Sequence, residues 1–439
     1  MTHRLLLERN PCETRAALLE EGRLVELAVE PARDAGHVGE IYKGRVSRVV
    51  PAIDAAFVDL GLERDAFLFV DDLVTPVTEE AEAPAIDRVL RPGQDVLVQV
   101  VKDALPGKGA RITMQVALPG RLLVLLPFGR SQAVSRRLTE PAERERLLAL
   151  AEELAPSGAT LIVRTAAAGA DREQMAAEMA ELGTRWEEVR RRLAEVRPPA
   201  RLHGDLEPAL RAVRDRFGGE VEELWLDGEG LWEEVRAFLA TRAPELVERL
   251  RREPAEGELF ERFGVERAIE SVLESRVGLP SGGHLVIQPT EALVAVDVNS
   301  GSNLTGDSLA QTALDTNLEA ACEVARQLRL RDLSGIIVVD FIDMESIEHR
   351  AQLLERLAGE LARDRTRSQV SPISEFGLVA ITRQRDRGNL YRRLTRPCPE
   401  CGGRGAVRSP AALGAALWRQ VLREARRRPD GPVVARLDP

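Results

Sequence analysis

The chain has 439 residues, of which 44% are hydrophobic and 30% are charged, and its formal net charge is −10. These values describe a soluble globular protein that is too long for one core, and they suggest about two to four domains. The negative net charge argues against attraction of the whole molecule to nucleic acid, although local patches can still bind it. The sequence has no apolar run of about 18 residues and no signal-peptide core, which predicts a cytoplasmic protein without a membrane segment.

The first 113 residues predict two kinds of structure. Residues 1–35 predict a strand, a helix and a second strand, at Arg4–Leu7, Thr14–Glu20 and Arg23–Val29. From residue 36 to about 113, short alternating runs separated by Gly and Pro turns are typical of a small barrel of about five strands. These strands are expected at Ile41–Val50, Ala55–Leu60, Ala66–Val70, Asp95–Val101 and Ala110–Met114.

Three residues of this barrel are candidates for contact with nucleic acid. Phe57 and Phe67 lie on two predicted strands, and Lys108 lies in a Gly-Lys-Gly turn. An exposed pair of Phe side chains on an OB-type barrel can stack against bases. A Phe side chain on a barrel strand can equally belong to the core, so the pattern alone leaves both interpretations open.

Residues 114–206 predict a module of short strands and charged helices. Its elements are expected at Leu122–Leu126 (strand), about 141–155 (helix), Thr160–Thr165 (strand) and Arg172–Glu195 (helix). Arg164 and Thr165 end the second strand, where a guanidinium and a hydroxyl group together can bind phosphate. A surface ion pair of Arg164 is the alternative interpretation.

A strand, a helix and a second strand are predicted between residues 292 and 343, after a mixed segment, 207–272, in which no site is recognised. The two strands are the apolar runs Ala292–Val298 and Ile336–Val339, and a helix with an apolar stripe separates them. Such a βαβ unit places its strands parallel, with a right-handed crossover. Both strands then end at the same edge of the sheet, where open α/β sheets bind ligands.

Asp297 and Asp340 lie at these two strand ends, and neighbouring strands are about 5 Å apart. Carboxylates that close repel each other unless a cation lies between them, and ligand sets made of oxygen suit Mg²⁺ or Mn²⁺. Asn299 points to the same face as Asp297 and could orient its carboxylate. A magnesium ion there could activate water against a phosphodiester. The alternative is that these aspartates cap a helix or solvate a loop.

The C-terminal part contains a basic segment and one Cys-x-x-Cys motif. Residues 383–396 include six arginines and Tyr391, which could bind an RNA backbone, stack a base or form a solvated linker. Cys398 and Cys401 lie in CPECGGRG, which is typical of a zinc knuckle, but a closed zinc site needs four ligands. Two chains that each donate two thiolates would therefore form a two-fold dimer. A redox Cys-x-x-Cys is the competing interpretation.

Taken together, these segments resemble the ribonuclease E/G family. The likeness is carried by EALVAVDVNSG, TNLEAACEVARQLRLRDLSGIIVVDFIDM and CPECGGRG, and by the shorter IYKGRV, AAFVDLG, SRR, LIVRTA and LPSGG. These motifs are long, ordered and correctly spaced over roughly residues 1–408, so the resemblance is specific. The short chain is most similar to the ribonuclease G branch.

The resemblance implies a multidomain α/β fold in which an RNase H-like domain is split by an inserted S1 (OB-fold) barrel and a 5′-sensor module. A DNase I-like α/β catalytic module and a zinc-link follow. The implied boundaries are 1–35 and 207–272 for the RNase H-like parts, 36–113 for the barrel, 114–206 for the sensor, 273–394 for the catalytic module, 395–408 for the zinc-link and 409–439 for a truncated C-terminal remnant.

The resemblance also implies roles for individual residues. Asp297 and Asp340 match the catalytic magnesium ligands, with Asn299 as their orienting residue. The other matches are Arg164 and Thr165 as contacts of a 5′ monophosphate, Gly120, Val124 and Arg136 as its surrounding pocket, Phe57, Phe67 and Lys108 as RNA-binding residues, and Cys398 and Cys401 as a zinc link shared between two protomers.

The implied function is a magnesium-dependent endoribonuclease that cuts single-stranded, A/U-rich RNA and prefers a 5′-monophosphate end. It would leave 5′-phosphate and 3′-hydroxyl products and act in ribosomal RNA processing and messenger RNA decay. The implied assembly is a homodimer through the zinc-link. The family's small C-terminal domain is mostly absent after about residue 409 and its scaffold tail is missing, which leaves a tetramer open and removes a degradosome-organising role by that route. A non-catalytic RNA-binding protein and a deoxyribonuclease or other phosphoesterase are the competing functions.

Overall fold

The structure is a computed structural model that describes residues 2–32, 36–74, 85–104, 108–129, 131–254, 257–301, 309–384, 390–396, 398–403 and 405–427. The chain divides into two compact units, Met1–Leu390 and Tyr391–Pro439. In these described ranges no helix has the length and apolar character that crossing a membrane requires.

Four sheets account for the strands of the described residues. The strands are β1 (His3–Arg9), β2 (Glu13–Glu20), β3 (Arg23–Pro31), β4 (Ile41–Val50), β5 (Ala55–Asp59), β6 (Ala66–Phe69), β7 (Asp95–Lys102), β8 (Arg111–Thr113), β9 (Leu118–Pro119), β10 (Leu123–Leu126), β11 (Ala133–Val134), β12 (Thr160–Val163), β13 (Ala200–His203), β14 (Val221–Asp227), β15 (Leu250–Arg252), β16 (Arg276–Gly278), β17 (His284–Pro289), β18 (Leu293–Asn299), β19 (Gly335–Asp340), β20 (Ser368–Val370) and β21 (Leu378–Arg383). Their orders are β15-β14-β1-β2-β3, β13-β4-β5-β6-β8-β7, β11-β12-β10-β9 and β16-β17-β18-β19-β21-β20.

The helices contain from 4 to 24 residues. They are α1 (Ile86–Val89), α2 (Pro141–Leu154), α3 (Arg172–Glu195), α4 (Pro208–Arg216), α5 (Leu231–Arg242), α6 (Leu259–Arg262), α7 (Val265–Leu273), α8 (Leu309–Leu330), α9 (Ile347–Ala362), α10 (Leu390–Leu394) and α11 (Pro410–Arg427). Of the predicted basic segment, residues 385–389 lie outside the described residues.

The first sheet combines distant parts of the chain, because β1 pairs antiparallel with β2 and parallel with β14. The helix predicted at Thr14–Glu20 is wrong: these residues lie in strand β2, which pairs with β1 on one edge and with β3 on the other. Ala and Leu favour a helix locally, but hydrogen bonding on both edges outweighs that preference. The turn between β2 and β3 is formed by Glu21 and Gly22, whose φ angles of 51° and 78° suit a tight hairpin.

The predicted small barrel is confirmed by the second sheet. β4 pairs with β5 and with β7, and β8 joins β6 to β7, so the sheet closes on itself. Apolar side chains from each of these strands fill its interior: Val46, Val58, Leu68, Val98 and Ile112. β13 continues the sheet beyond β4.

The third sheet packs against α2 and α3 through buried Leu and Met side chains. The predicted start of α3 at Arg172 is confirmed. Asp171 accepts a hydrogen bond from the backbone N–H of Gln174 at 2.8 Å, and the Gln174 side chain accepts one from the backbone N–H of Asp171 at 3.1 Å. This reciprocal capping box fixes where the helix begins.

The fourth sheet contains the predicted βαβ unit, and β18 and β19 are parallel neighbours as expected. Val296 and Val298 on β18 and Ile337 and Val339 on β19 form one core with the apolar faces of α8 and α9. Strand residues alternate between the two faces of a sheet, so the residues that alternate with these four along β18 and β19 point away from the two helices. One face of the sheet is therefore covered by helices, and the other carries the strand-end acids.

Ion pairs attach α8 to the first sheet. Arg329 on α8 contacts Glu20 and Glu26 at 2.7 and 3.1 Å, and Glu26 also contacts Arg216 at 3.2 Å. Burial alone would raise the pKa of Glu26, but the charges of Arg216, Arg365 and Arg329 lower it to about 2. Glu26 is therefore ionised at neutral pH, and its ion pair with Arg329 links α8 to the first sheet.

Candidate active site

The two predicted acids are direct neighbours across β18 and β19. In this parallel pairing Asp297 is the register partner of Asp340. Both side chains are exposed, whereas Val296 and Val339 beside them are buried. Register partners point to the same face of a sheet, and the strands lie about 5 Å apart. The two carboxylates therefore share the open face at one edge, within reach of a single cation.

Asn299 holds one of these carboxylates in place. Its Nδ2 atom donates a hydrogen bond to Asp297 Oδ2 at 2.8 Å. The two residues are separated by one position on β18, so both side chains lie on the same face of the strand. Asn299 therefore occupies the position expected of an orienting residue.

Asn317, a fully buried residue of α8, positions the chain that follows Asp340. Its side-chain amide donates to the carbonyl of Ile342 at 2.7 Å and accepts from the N–H of Ile342 at 3.0 Å. A buried amide that satisfies both backbone groups of one residue fixes that segment. Asn317 was not predicted from the sequence, although an Asn between Leu314 and Ala321 on the apolar stripe of a helix is a usable signal.

The acid pair fits a magnesium ion that has two protein ligands. Over the part of the chain that the structure describes, no group of three or more His, Cys, Asp or Glu side chains could hold a metal ion. Mg²⁺ commonly binds proteins through one or two carboxylates and keeps several of its waters. The exposed position of Asp297 and Asp340 leaves room for such waters.

Three phenylalanines form a platform on the outer face of the barrel. Phe57 and Phe67 are register partners with ring centroids 5.4 Å apart, and the ring of Phe69 lies 4.4 Å from that of Phe67. All three are half-buried, whereas Ala66 and Leu68, which alternate with Phe67 and Phe69 along β6, are fully buried. The Phe rings therefore point outward, as a stacking surface requires, and do not belong to the barrel core.

Two arginines flank this platform. The guanidinium carbon of Arg48 lies 4.7 Å from the ring centroid of Phe57, and that of Arg111 lies 4.9 Å from the centroid of Phe69. Arg48 brings positive charge to the aromatic surface, whereas the charge of Arg111 is paired with Asp72 at 2.9 Å. Phe69 and both arginines were not predicted from the sequence, although the i, i+2 spacing of Phe67 and Phe69 places these two rings on one face. Lys108 is exposed before β8.

Arg164 forms an ion pair, which was the alternative interpretation of this residue. Its Nη1 atom donates to Asp215 Oδ1 at 2.9 Å and to the carbonyl of Gly120 at 2.5 Å. Burial alone would raise the pKa of Asp215, but Arg214 and Arg164 together hold that pKa well below its usual range. Arg164 and Gly120, both predicted for the 5′-phosphate pocket, are thus in contact, and Asp215 is a partner that the sequence did not indicate.

The other predicted pocket residues come from the same sheet. Thr165 Oγ1 lies 3.0 Å from the hydroxyl oxygen of Ser135, and the next residue, Arg136, is exposed. Val124 on β10 is the register partner of Ile162 on β12. The structure therefore gathers Gly120, Arg164 and Thr165 near the end of β12 and places Val124 on the adjacent strand.

Glu178 on α3 shapes the turn that contains Gly120. Its carboxylate accepts hydrogen bonds from the backbone N–H groups of Arg121, Leu122 and Leu123 at 2.6, 2.7 and 2.8 Å. A Cβ atom at position 120 would lie 2.7 Å from Glu178 Cδ, so a larger residue there would displace the carboxylate that makes these hydrogen bonds. No side-chain motif could reveal Glu178, because its partners are backbone groups.

The second unit carries the two cysteines of the predicted zinc knuckle. Cys398 is exposed and Cys401 is buried. The backbone N–H of Cys401, followed by that of Glu400, lowers the pKa of the Cys398 thiol. Backbone donors aimed at a sulfur favour the thiolate that zinc binds, so the turn fits half of a four-thiolate site.

Comparison with known proteins identifies the class to which this fold and site belong. The family model described as "Ribonuclease E/G family" matches residues 117–386. Ribonuclease G of Haemophilus influenzae is 39% identical over 428 residues, which is 95% of this chain and 87% of that protein. Ribonuclease G of Escherichia coli K12 is 39% identical over 431 residues, which is 96% of this chain and 88% of that protein. Ribonuclease E of a Nostoc species is 42% identical over 406 residues, which is 90% of this chain and 58% of that protein.

The fold and the site define an α/β protein with a small barrel and a pair of acids at the ends of two parallel strands. The chain belongs to the ribonuclease E/G family.

Proposed function

We propose that this protein is a magnesium-dependent endoribonuclease that cuts single-stranded, A/U-rich RNA in ribosomal RNA processing and messenger RNA decay. Its relatives named Ribonuclease G and Ribonuclease E support action on RNA. The observation that carries the proposal is the register pairing of Asp297 with Asp340 on an open sheet face.

In this proposal Asp297 and Asp340 hold the magnesium ion, and Asn299 keeps the Asp297 carboxylate in position. When bound, the ion would supply positive charge against the charge that develops on the phosphate, and would make water a better nucleophile. Asn317, through Ile342, fixes the segment after Asp340. Because water attacks in place of the 2′-hydroxyl, the products carry 5′-phosphate and 3′-hydroxyl ends.

The RNA strand would be held by the barrel. The outward rings of Phe57 and Phe67, extended by Phe69, offer π-faces to unpaired bases, and Lys108 supplies a charge for the backbone. Stacking requires bases that are not already paired, which supports a preference for single strands. Arg48 beside Phe57, together with Lys108, supplies local positive charge by which a chain of net charge −10 can attract RNA.

The 5′-monophosphate preference is assigned to Arg164 and Thr165, with Gly120, Val124 and Arg136 around them. A terminal phosphate would compete with Asp215 for the Arg164 guanidinium. Hydrogen bonds to charged groups contribute about 1.5–3 kcal/mol, so we expect a 5′-monophosphate oligonucleotide to be cut about 10- to 100-fold faster than its 5′-hydroxyl counterpart. A 5′ triphosphate should also be cut slowly, because the pocket suits one terminal phosphate.

The experiment measures cleavage of oligonucleotides that differ only in the 5′ end, with and without magnesium, beside DNA of the same sequence. Equal rates for the three 5′ ends would refute the sensor assignment. Binding without any magnesium-dependent cleavage would favour an RNA-binding protein, and equal cutting of DNA would favour a general phosphodiesterase.

Zinc is proposed as a structural ion shared between two chains through Cys398 and Cys401. Four thiolates in one closed site correspond to about half a zinc ion per chain and a homodimer. Changing both cysteines to Ser should release the metal and dissociate the dimer, which native mass spectrometry with metal counting would detect. Replacing Cys12, which is exposed in the first unit, by Ser is the matched control and should change neither quantity. A monomeric wild type with one zinc per chain contradicts the shared link.

A further inference from the structure

Phe376 lies in a short turn that leads into β21, beside the strand end that carries Asp340. Leu378, the first residue of β21, is the register partner of Asp340. The turn also approaches the segment after β19, because a Cβ atom built on Gly377 would lie 3.5 Å from Asp343 Oδ1. Phe376 is therefore two residues from the direct strand neighbour of a proposed magnesium ligand.

The turn is closed by its own hydrogen bonds. The backbone N–H of Ser374 donates to the carbonyl of Leu378 at 2.9 Å, and the N–H of Gly377 donates to the carbonyl of Ser374 at 3.0 Å. The N–H of Leu378 donates to the Ser374 hydroxyl oxygen at 3.1 Å. Gly377 has a φ of 80°, which favours glycine. These contacts fix the backbone on both sides of Phe376.

Phe376 is 86% exposed as a residue, far more than the half-buried phenylalanines of the barrel platform. Removing an apolar ring from water is favourable, so a ligand that covers the ring of Phe376 would gain binding free energy. In the proposed function, the ligand nearest to this turn is the nucleotide whose phosphodiester lies at the acid pair. Every nucleobase has a π-face that can stack on an aromatic side chain.

We propose that Phe376 stacks against an unpaired base next to the cleaved phosphodiester and thereby positions that bond at Asp297 and Asp340. The inference rests on the proposed function and adds to it a substrate-positioning residue. Phe376 takes no proton and makes no bond in the reaction. A paired base is already stacked within its duplex, so this contact would add a requirement for single-stranded RNA at the cleavage site itself, apart from the barrel.

The experiment compares Phe376→Ala, Phe376→Leu and Phe376→Trp in the full-length protein, on a 5′-monophosphorylated RNA with one main cleavage site. We expect Phe376→Ala to lower kcat/KM by about 10- to 100-fold and to spread cleavage over neighbouring bonds, because one stacking contact is lost. Phe376→Trp should keep both the rate and the choice of bond. Phe376→Leu, which is apolar but has no ring, should resemble Phe376→Ala.

A second readout separates stacking from stability. The fluorescence of a base analogue beside the cleaved bond should be quenched when the RNA binds to Asp297→Asn protein. The quenching should be weaker in the double variant that carries both Asp297→Asn and Phe376→Ala. Leu273→Ala removes another exposed apolar side chain and should leave rate, bond choice and quenching unchanged. Wild-type rate and bond choice in Phe376→Ala, or in Phe376→Leu, would overturn the stacking role while leaving the nuclease intact. Absence of cleavage by the wild type would instead overturn the proposed function, and this inference with it.

Discussion

Replacing Asp297 with Asn should lower the rate of RNA cleavage by about 10³-fold or more, with RNA binding largely intact. The change removes one of two carboxylates that lie in register and leaves Asp340 as the single acid of the pair. Stabilisation of phosphoryl charge by a bound metal ion contributes several kcal/mol, and about 4 kcal/mol corresponds to 10³ in rate. Single-turnover cleavage, with RNA binding measured separately, tests this expectation.

Two further variants test whether the loss of cleavage is specific to the proposed metal site. Asp340→Asn is the symmetric change and should lose a similar factor. Asn299→Ala removes only the hydrogen bond to Asp297 and should cost about 10- to 100-fold, as is usual for residues that orient a metal ligand. Thermal unfolding without magnesium should not show destabilisation by Asp297→Asn, because that change relieves repulsion between neighbouring carboxylates. Turnover that persists in Asp297→Asn would remove this residue from the metal site.

The acid pair was predictable from the sequence because its geometry follows from a local rule. Two apolar runs joined by a helix of sufficient length become parallel neighbours, and parallel strands end at the same edge. Asp297 and Asp340 follow directly from where those runs stop. The barrel was predictable for a related reason, since short alternating runs and their turns are visible within a few residues of each other.

The strand at Glu13–Glu20 was not predictable by such a rule. Its apolar residues fit a helix as well as a strand, and what decides is pairing with β1 and β3 on either side. β1 is in turn held by β14, more than 200 residues later in the chain. Local propensity contains no information on that pairing.

Long-range partners were missed for the same reason. Asp215 is 51 residues from Arg164, and Asn317 is 25 residues from Ile342. Glu178 binds backbone N–H groups, which any residue type provides. A sequence can indicate that Arg164 is suited to phosphate, but the carboxylate that shares its guanidinium is known only once the chain has folded.

Arg383→Met should lower the free energy of unfolding by about 3–5 kcal/mol, the usual cost of removing one partner from a buried ion pair. Arg383 donates from Nε to Asp364 Oδ2 at 2.7 Å and from Nη1 to Asp332 Oδ1 at 2.8 Å, and only 4% of its side chain and of that of Asp364 is exposed. Burial opposes the charge of Arg383, but Asp364 and Asp332 outweigh burial and raise its pKa. The variant would leave Asp364 buried without its cation.

Urea unfolding of two matched variants measures this effect. Arg190→Met breaks a pair whose side chains are 60% and 65% exposed, and exposed pairs contribute about 0–1 kcal/mol, so its unfolding midpoint should barely move. Arg383→Met combined with Asp364→Leu should recover much of the lost stability, because the buried Asp364 carboxylate is then removed together with its cation, whereas the side chain of Asp332 is 22% exposed. A midpoint for Arg383→Met equal to that of Arg190→Met would contradict the buried pair.

Arg383 ends β21 and also donates to the carbonyl of Leu333 at 3.0 Å, just before β19. Arg383→Met should therefore lose cleavage activity at a lower urea concentration than the wild type, since the strand that carries Asp340 is held at its start by this side chain.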